Sequence, residues 1–395
     1  MNKTQKLGIA VVAILLLATA GMLTAQRRSE LGPFGRIFPR LEHTPTDGES
    51  AARQNQVDYL LLRESRAPEF LRQFWSKRDF SSADNYVRSI APYRELFIAD
   101  FGMPDEFKPG NRNSMITSRF IRSKDGLDYY RWIIRIANTG LEVESLVAVP
   151  RQRREPLPVV IAIHGTYGSP EAVLGLTELR DYHRQFGYFL AREGYVVVAP
   201  YINLFGPGEI IEFNQLGRGV GVTQQGMAVA QMIGIMDYLD TQPRYLNSRY
   251  GLVGLSYGGA IARWTGAIDQ RAAVTIDSMG LYDPAEVLAT ESMLSQFRLE
   301  GPRIRNDQIR WTPEYVAGMI APRAFFIETA TKDPFAPSAA RVYNRLQRTY
   351  STLGFPTNVG FQEGGSGHTI YLQDSLNFMK TFLPPAQFRT ATRPD

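Results

Sequence analysis

One short stretch, residues 249–260 with the sequence RYGLVGLSYGGA, constrains the fold more than any other part of the chain. An apolar run typical of a β-strand leads to Ser256, glycines follow at positions 258 and 259, and a helical pattern begins after them. The pattern Gly-x-Ser-x-Gly between a strand and a helix is typical of a sharp turn, where a Cβ at either glycine would keep strand and helix apart. Such a turn exposes the serine Oγ beside the free N–H groups of a helix N-terminus. We interpret Ser256 as a candidate nucleophile, with a purely structural glycine-rich turn as the alternative.

The composition narrows the chemistry that the chain can perform. The 395 residues carry a net charge of +5 without a dense Lys/Arg block interleaved with aromatics, so we predict no nucleic-acid partner. The absence of cysteine excludes disulfides, thiolate chemistry and cysteine-based metal sites. Imidazole-dependent chemistry must use one of four histidines: His43, His164, His183 and His368. Among these, His183 has charged neighbours in a predicted helix, and we expect it to be solvent-exposed.

The first 25 residues are predicted to be a signal peptide or a membrane anchor. Lys3 and Lys6 precede an almost wholly apolar run, residues 7–23. A positive start followed by an apolar run is typical of an export signal. The run is long for the apolar part of a signal peptide and short for a membrane span, which needs about 20 residues. We predict an exported protein, either periplasmic or secreted after cleavage, or attached to the membrane by residues 7–23.

Three further regions follow in the predicted domain organisation. Residues 26–115 are interpreted as a linker and an N-terminal helical region, because apolar residues recur at spacings of three and four after residue 51. Residues 116–385 form the main domain, and residues 386–395 form a C-terminal tail.

The main domain alternates strand and helix patterns. Half-buried strand patterns predict an antiparallel start, over residues 118–123, 128–137 and 144–149. Uninterrupted apolar runs such as 159–163 and 195–199 are typical of buried parallel strands. Helical patterns lie between the later strands, over residues 176–193, 227–239, 337–352 and 369–383. The alternation predicts an α/β fold whose mainly parallel central sheet is covered by helices on both faces.

Two residues later in the chain could serve the serine as base and acid. His368 lies in a glycine-rich loop after the last predicted strand, where it could bring its imidazole over the strand ends. Asp333 follows the predicted strand at 323–329 within a short loop, so we expect it to orient that imidazole. Asp277, at the end of the preceding predicted strand, is the alternative acid, and Asp283 is a weaker one.

Backbone N–H groups near the serine could stabilise a negatively charged oxygen. One is expected from Tyr257, which follows the serine directly. The other is expected from the loop after the strand at 159–163, from Thr166 or, as the second choice, Tyr167. His164 begins that loop, and we interpret it as a structural residue rather than as the base.

Four stretches carry a resemblance to a known superfamily: IAIHGTYGS, GIMDYLDTQPRYLNSRYGLVGLSYGGA, APRAFFIETATKDPFAP and GGSGH. From about residue 119 to residue 383 the chain resembles α/β-hydrolases, and is similar to their dienelactone hydrolase and acetyl xylan esterase-like branch. The resemblance implies the α/β-hydrolase fold, a triad of Ser256, Asp333 and His368, and neither metal nor organic cofactor. Dienelactone hydrolases themselves commonly use cysteine as the nucleophile, so the serine argues against a dienelactone substrate and is compatible with an esterase.

Together these features predict an exported serine hydrolase that cleaves a small-molecule carboxylic ester through an acyl-enzyme intermediate. Two alternatives stay open. A peptidase of the prolyl-oligopeptidase type would share the triad, but it usually needs a propeller, for which about 115 N-terminal residues are too few. A non-catalytic binding protein could also keep the fold.

Overall fold

The computed structural model of the chain contains one β-sheet of nine strands. In chain order the strands are β1 (Met115–Lys124), β2 (Leu127–Arg135), β3 (Glu142–Pro150), β4 (Leu157–Ile163), β5 (Val196–Pro200), β6 (Tyr245–Leu255), β7 (Ala272–Ser278), β8 (Ala324–Ala330) and β9 (Val359–Gly364). Their spatial order is β1-β2-β3-β5-β4-β6-β7-β8-β9. The first three pairs of neighbours in this order are antiparallel and the other five pairs are parallel. The predicted antiparallel start and mainly parallel sheet are confirmed.

The structure describes residues 67–107, 115–136, 139–177, 182–202, 219–281, 308–333, 339–365 and 367–387, with isolated positions between 48 and 56 and between 213 and 217. The chain divides into two compact units, Met1–Glu69 and Phe70–Asp395, and the sheet belongs to the second. The predicted targeting segment and Asp283 lie outside the described residues. Across the described ranges, no helix has the length and apolar character that crossing a membrane requires.

Helices cover both faces of the sheet. They are α1 (Ala67–Phe74), α2 (Ala83–Phe101), α3 (Pro170–Val173), α4 (Phe186–Glu193), α5 (Gln224–Asp240), α6 (Tyr257–Ile268), α7 (Pro313–Gly318), α8 (Ala339–Thr352) and α9 (Gln373–Phe382), with 3₁₀ turns at Trp75–Lys77, Asp105–Phe107, Gln308–Trp311 and Pro356–Asn358. Buried side chains of α2, α5, α6, α7 and α8 pack into one apolar cluster. Those of α3, α4 and α9 pack into another. The predicted layer arrangement is therefore confirmed.

The central strand β4 shows why the sheet is buried on both faces. All seven of its residues are buried. Because successive side chains of a strand point to opposite faces, Val159, Ile161 and Ile163 join one apolar cluster while Val160 and Ala162 join the other. A strand covered in this way needs an unbroken apolar sequence, which is the pattern in the printed chain.

The helix predicted over residues 176–193 is wrong in its N-terminal part. The helix α4 begins only at Phe186, because Arg184 and Gln185 adopt left-handed backbone conformations with φ values of 48° and 55°. His183, expected to be exposed, has no exposed surface. Residues 182–185 form a turn before this short helix, and residues 178–181 of the predicted helix lie outside the described residues.

The N-terminal helix α2 packs against α6, the helix that follows Ser256. The rings of Phe101 and Trp264 lie with their centroids 5.1 Å apart. Arg94 is buried, and its guanidinium donates to the carbonyl oxygens of Ala267 at 2.7 Å and Met319 at 3.2 Å. Burial favours the neutral form and lowers the pKa of Arg94. Arg94 of α2 therefore donates to one carbonyl group at the C-terminal end of α6 and to one just after α7, at helix ends that leave carbonyl groups without donors.

Candidate active site

The turn between β6 and α6 holds Ser256 in a strained conformation. Its φ is 61° and its ψ is −123°, a region that residues with a Cβ rarely adopt. The Ser256 N–H donates to the carbonyl oxygen of Ser278 at 2.7 Å. A Cβ at Gly254 would lie 1.9 Å from the carbonyl oxygen of Gly258, and one at Gly258 would lie 2.3 Å from that of Ile163. Both glycines are therefore required by close backbone approach, as the motif predicts.

The structure brings Asp333 and His368 together. The Oδ2 atom of Asp333 lies 3.0 Å from Nδ1 of His368. The aspartate side chain is fully buried, whereas the histidine side chain is 22% exposed. A carboxylate at Nδ1 fixes the tautomer that carries its proton there and leaves Nε2 as the basic nitrogen. The pair therefore has the geometry of an acid that orients a base.

The alternative acid, Asp277, has a different partner. Its carboxylate lies 2.6 Å from Nη1 of Arg263 and accepts the N–H of Gly280 at 2.9 Å. Asp277 and Arg263 are both almost fully buried. Burial raises the pKa of Asp277, and the neighbouring guanidinium opposes that shift. The carboxylate next to His368 is thus that of Asp333, while Asp277 forms a buried ion pair with Arg263 of α6.

The loop after β4 offers backbone donors near Ser256. The N–H of Gly165 is occupied, because it donates to Nε2 of His183 at 2.9 Å. The carbonyl oxygen of Thr166 accepts the hydroxyl of Tyr182 at 2.6 Å, which fixes the loop from the other side. In the described part of the chain no protein acceptor takes the N–H of Thr166 or Tyr167. These two residues remain the predicted second donors.

Tyr182 lies between the serine and the histidine. A Cβ at Gly165 would be 2.4 Å from the Tyr182 hydroxyl oxygen and 3.1 Å from Cβ of Ser256. The centroid of the Tyr182 ring is 5.8 Å from that of His368, and its carbonyl oxygen accepts the Thr369 hydroxyl at 2.8 Å. The turn of the serine and the loop of the histidine therefore meet at the same end of the sheet. The sequence held no local signal for Tyr182, because its contacts with Thr166, His368 and Thr369 join residues that are distant along the chain.

His164 is held in its neutral form. The residue is 3% exposed, and its Nδ1 lies 2.8 Å from the carbonyl oxygen of Gly165. Burial disfavours the charged ring and lowers the pKa of His164 to about 4. A carbonyl can only accept, so Nδ1 carries the proton. This arrangement agrees with the structural role predicted for His164.

One buried residue near the site was not singled out from the sequence. Glu328 lies on β8 and is 1% exposed, and burial raises the pKa of its carboxyl group. The available signal was an acidic residue inside the strand sequence AFFIETA, whose seven residues are all buried. A buried acid in such a strand requires hydrogen-bond donors, but the sequence does not tell which residues supply them.

The arrangement has three features that nucleophilic acyl transfer requires. A serine lies in a strained turn, a carboxylate orients an imidazole, and backbone donors lie close by. Elsewhere in the ranges that the structure describes, no group of three or more His, Cys, Asp or Glu side chains is placed to hold a metal ion.

Comparisons with known proteins show what the chain is similar to. Residues 143–293 match the model of the Dienelactone hydrolase family. The chain is also similar to "Putative hydrolase YtaP" of Bacillus subtilis (strain 168), with 23% identity over 249 residues that cover 59% of this chain and 81% of the relative. Among solved structures, Methylesterase BT1017 has a TM-score of 0.57 and 19% identity, covering 81% of this chain and 67% of its own. A glucuronoyl esterase from Solibacter usitatus has a TM-score of 0.56 and 15% identity, covering 74% and 92%.

These similarities and the strand order decide the fold. The chain has the α/β-hydrolase fold. The family match also confirms the resemblance to the dienelactone hydrolase branch. The match to a hydrolase family also agrees with the predicted hydrolase.

Proposed function

We propose that this α/β-hydrolase is a serine hydrolase that cleaves a small-molecule carboxylic ester. The observation that carries the proposal is the 3.0 Å contact between Asp333 and His368 at the same end of the sheet as the strained turn of Ser256. The match to a hydrolase family supports the reaction class. The structural neighbours named as a methylesterase and a glucuronoyl esterase support an ester as the substrate, in preference to a peptide.

The proposed reaction begins when the Ser256 hydroxyl attacks the ester carbonyl carbon and gives its proton to Nε2 of His368. Asp333 accepts the hydrogen bond from Nδ1–H and stabilises the imidazolium. The N–H groups of Tyr257 and Thr166 donate to the oxyanion of the tetrahedral intermediate. Collapse of this intermediate breaks the bond to the alcohol oxygen, which takes the proton from His368. Water then hydrolyses the acyl-enzyme by the same steps, releasing the acid and the free serine.

A fluorophosphonate probe tests the nucleophile. Wild-type protein is expected to be labelled and to turn over p-nitrophenyl acetate or butyrate, whereas Ser256→Ala loses labelling and about 10⁴-fold or more of kcat. Ser118→Ala, at an exposed position on β1, is the matched control and keeps both activities. Methyl glucuronate belongs in the substrate panel because of the named neighbours. Absence of labelling in folded wild-type protein would contradict the proposal and favour a non-catalytic binding protein.

Two aspartate variants test the assignment of the acid. Asp333→Asn is expected to lower kcat by about 10⁴-fold, because an amide at that place supports the wrong imidazole tautomer. Asp277→Asn leaves Arg263 buried without its charge partner, so it lowers the free energy of unfolding by about 3–5 kcal/mol while folded protein keeps its kcat. Steady-state kinetics and urea unfolding measure the two effects. The reverse pattern would assign the role to Asp277.

We also propose that the protein is exported, either periplasmic or secreted, or attached to the membrane through residues 7–23. The positive start and apolar run of the N-terminal sequence support this proposal. Cell fractionation with N-terminal sequencing tests it. A mature N-terminus near residue 21 or 26 in a soluble exported fraction indicates cleavage, and an intact chain in the membrane fraction indicates an anchor. An intact chain in the cytoplasmic fraction would contradict export.

A further inference from the structure

Glu328 is a buried carboxylate whose role in the site is not explained by the three proposed triad residues. Burial of an ionised carboxylate is unfavourable unless charges or hydrogen-bond donors compensate it. Within the described chain, hydrogen-bond donors surround the Glu328 side chain and no cation pairs with it. These donors offset the cost of burial, and the segments that supply them lie close to the site.

Four donors bind this carboxylate, and they come from two places. Three lie at the start of α9: the N–H of Tyr371, the N–H of Leu372 at 3.3 Å from Oε2, and the hydroxyl of Ser375 at 2.9 Å from Oε2. The fourth is the hydroxyl of Ser278, at the end of β7, 3.2 Å from Oε1. Because α9 begins at Gln373, the carboxylate also lies at the positive end of its dipole.

Each of these two places is continuous with a proposed triad residue. Tyr371 follows His368 by three residues, so the donors at the start of α9 define where the histidine loop ends. On the other side, the carbonyl oxygen of Ser278 accepts the N–H of Ser256 at 2.7 Å. One carboxylate therefore contacts both the segment that carries the histidine and the residue that holds the serine backbone.

We propose that Glu328 is a positioning residue that holds the loop of His368 in register with the turn of Ser256. It touches neither substrate nor reacting atoms; it acts through Ser278 on one side and the start of α9 on the other. The inference rests on the proposed function, because it concerns the distance between the proposed base and nucleophile. A misplacement of a catalytic group by about 1 Å can lower the rate by about 100-fold, so small movements of this loop matter.

Glu328→Gln is the variant that tests this role. Glutamine has nearly the shape of glutamate, but its NH₂ group must replace either Oε1, which accepts the N–H of Tyr371, or Oε2, which accepts the N–H of Leu372, and only an acceptor fits either place. The histidine loop is expected to loosen while the substrate-binding surface stays intact. For p-nitrophenyl acetate we expect kcat to fall by about tenfold or more with KM changed by less than about twofold.

Glu314→Gln is the matched control. Glu314 is also a buried glutamate, 8% exposed on α7, but it pairs with Arg345 on α8. Loss of this ion pair is expected to lower the melting temperature, as is Glu328→Gln, without changing kcat or KM.

Ser278→Ala is the second variant, should Glu328→Gln fail to fold. It removes one of the four donors, so we expect a smaller fall of kcat in the same direction, again with KM unchanged.

Hydrogen exchange measures the opening of the histidine loop directly and does not depend on turnover. Faster exchange is expected in peptides covering residues 367–375 of Glu328→Gln, and unchanged exchange there in Glu314→Gln. Equal kcat and equal exchange in wild type and Glu328→Gln would overturn the inference, as would a similar fall of kcat in both glutamate variants. Wild-type protein that neither labels nor turns over ester would refute the proposed function instead, and the exchange data would then decide whether Glu328 holds the loop.

Discussion

Burial sets the chemistry of individual side chains near this site more strongly than residue type does. His164 lies close in sequence to the proposed oxyanion donors, yet its pKa of about 4 keeps it neutral across the physiological range. His368, by contrast, has part of its ring exposed and a carboxylate at Nδ1. Two histidines at the same end of the sheet therefore have different capacities: one fixes a loop through its N–H, and the other is placed to exchange a proton.

The depressed pKa of His164 predicts a loss of stability on acidification. Below pH 6.5 the unfolded chain binds a proton at this histidine while the folded protein does not, until the pH reaches about 4. Across that window the free energy of unfolding should fall by about 3 kcal/mol on account of this one residue. His164→Asn keeps an N–H donor for Gly165 but cannot titrate.

Urea unfolding of both proteins between pH 7 and pH 4 measures this contribution. The stability difference between wild type and His164→Asn should shift in favour of the variant as the pH falls. Other titrating groups, including Asp277 and Glu328 with their raised pKa values, are common to both proteins and cancel in the difference. Parallel pH dependences would contradict the assignment.

At the scale of single elements, the turn after β6 depends on one strand glycine more than on another. A Cβ at Gly254 would collide with backbone, 1.9 Å from the Gly258 carbonyl oxygen. A Cβ at Gly251, on the same strand, would meet side-chain methyl groups of Val160 and Leu383 at 3.0 and 3.3 Å, which can shift. We expect Gly254→Ala to lower the free energy of unfolding by more than about 4 kcal/mol, and Gly251→Ala by about 1–3 kcal/mol.

Chemical denaturation of the two alanine variants separates these cases, with the yield of soluble protein as a second measure. A stable, active Gly254→Ala would mean that the turn can relax, and that the motif is less constrained than the backbone contacts indicate. Equal losses in the two variants would show that β6 tolerates no added methyl group at either position.

The elements that the sequence predicted correctly are those whose signal is local. The turn between β6 and α6 needs glycines on both sides of Ser256, and the buried strands need unbroken apolar runs. Each of these patterns is determined by contacts of the same short segment. The cap of α2 is equally local, since Ser82 accepts the N–H of Asn85, three residues further along the chain, at 3.1 Å. The contact of Asp333 with His368 could be anticipated from loops at neighbouring strand ends.

What the sequence did not reveal depends on distant partners. Just before α4, Tyr182 and His183 contact the loop after β4: Tyr182 donates to the carbonyl oxygen of Thr166, and His183 accepts the N–H of Gly165. Glu328 has four donors that are between 43 and 50 residues away along the chain. No local pattern encodes such pairings, because they arise only when the sheet and its helices are assembled.

At the scale of the whole molecule, α2 belongs to the core of the second unit. Phe97 is 1% exposed, and its ring lies 5.0 Å from the rings of Phe101 and Trp311. Phe97→Ala should therefore lower the free energy of unfolding by about 3–5 kcal/mol. Leu96→Ala changes the adjacent residue, which is 36% exposed, and should cost about 1 kcal/mol or less.

Thermal unfolding followed by circular dichroism and by ester turnover compares these two variants. If α2 is part of the same cooperative unit as the sheet, both signals of Phe97→Ala should be lost together at a lower temperature. If part of the circular dichroism signal is instead lost in an earlier, separate transition while ester turnover is retained, α2 unfolds independently.

The strand order has a consequence for how activity first appears in a newly made chain. Leu157 on β4 pairs beside Tyr245 on β6, so nearly ninety residues must be looped out before the strand carrying the serine finds its neighbour. Pairings this distant close slowly, whereas helices form from nearby contacts. During refolding we expect the helical signal to recover well before ester turnover, because the proposed triad is drawn from loops after β6, β8 and β9 and is complete only when the last strand has joined the edge.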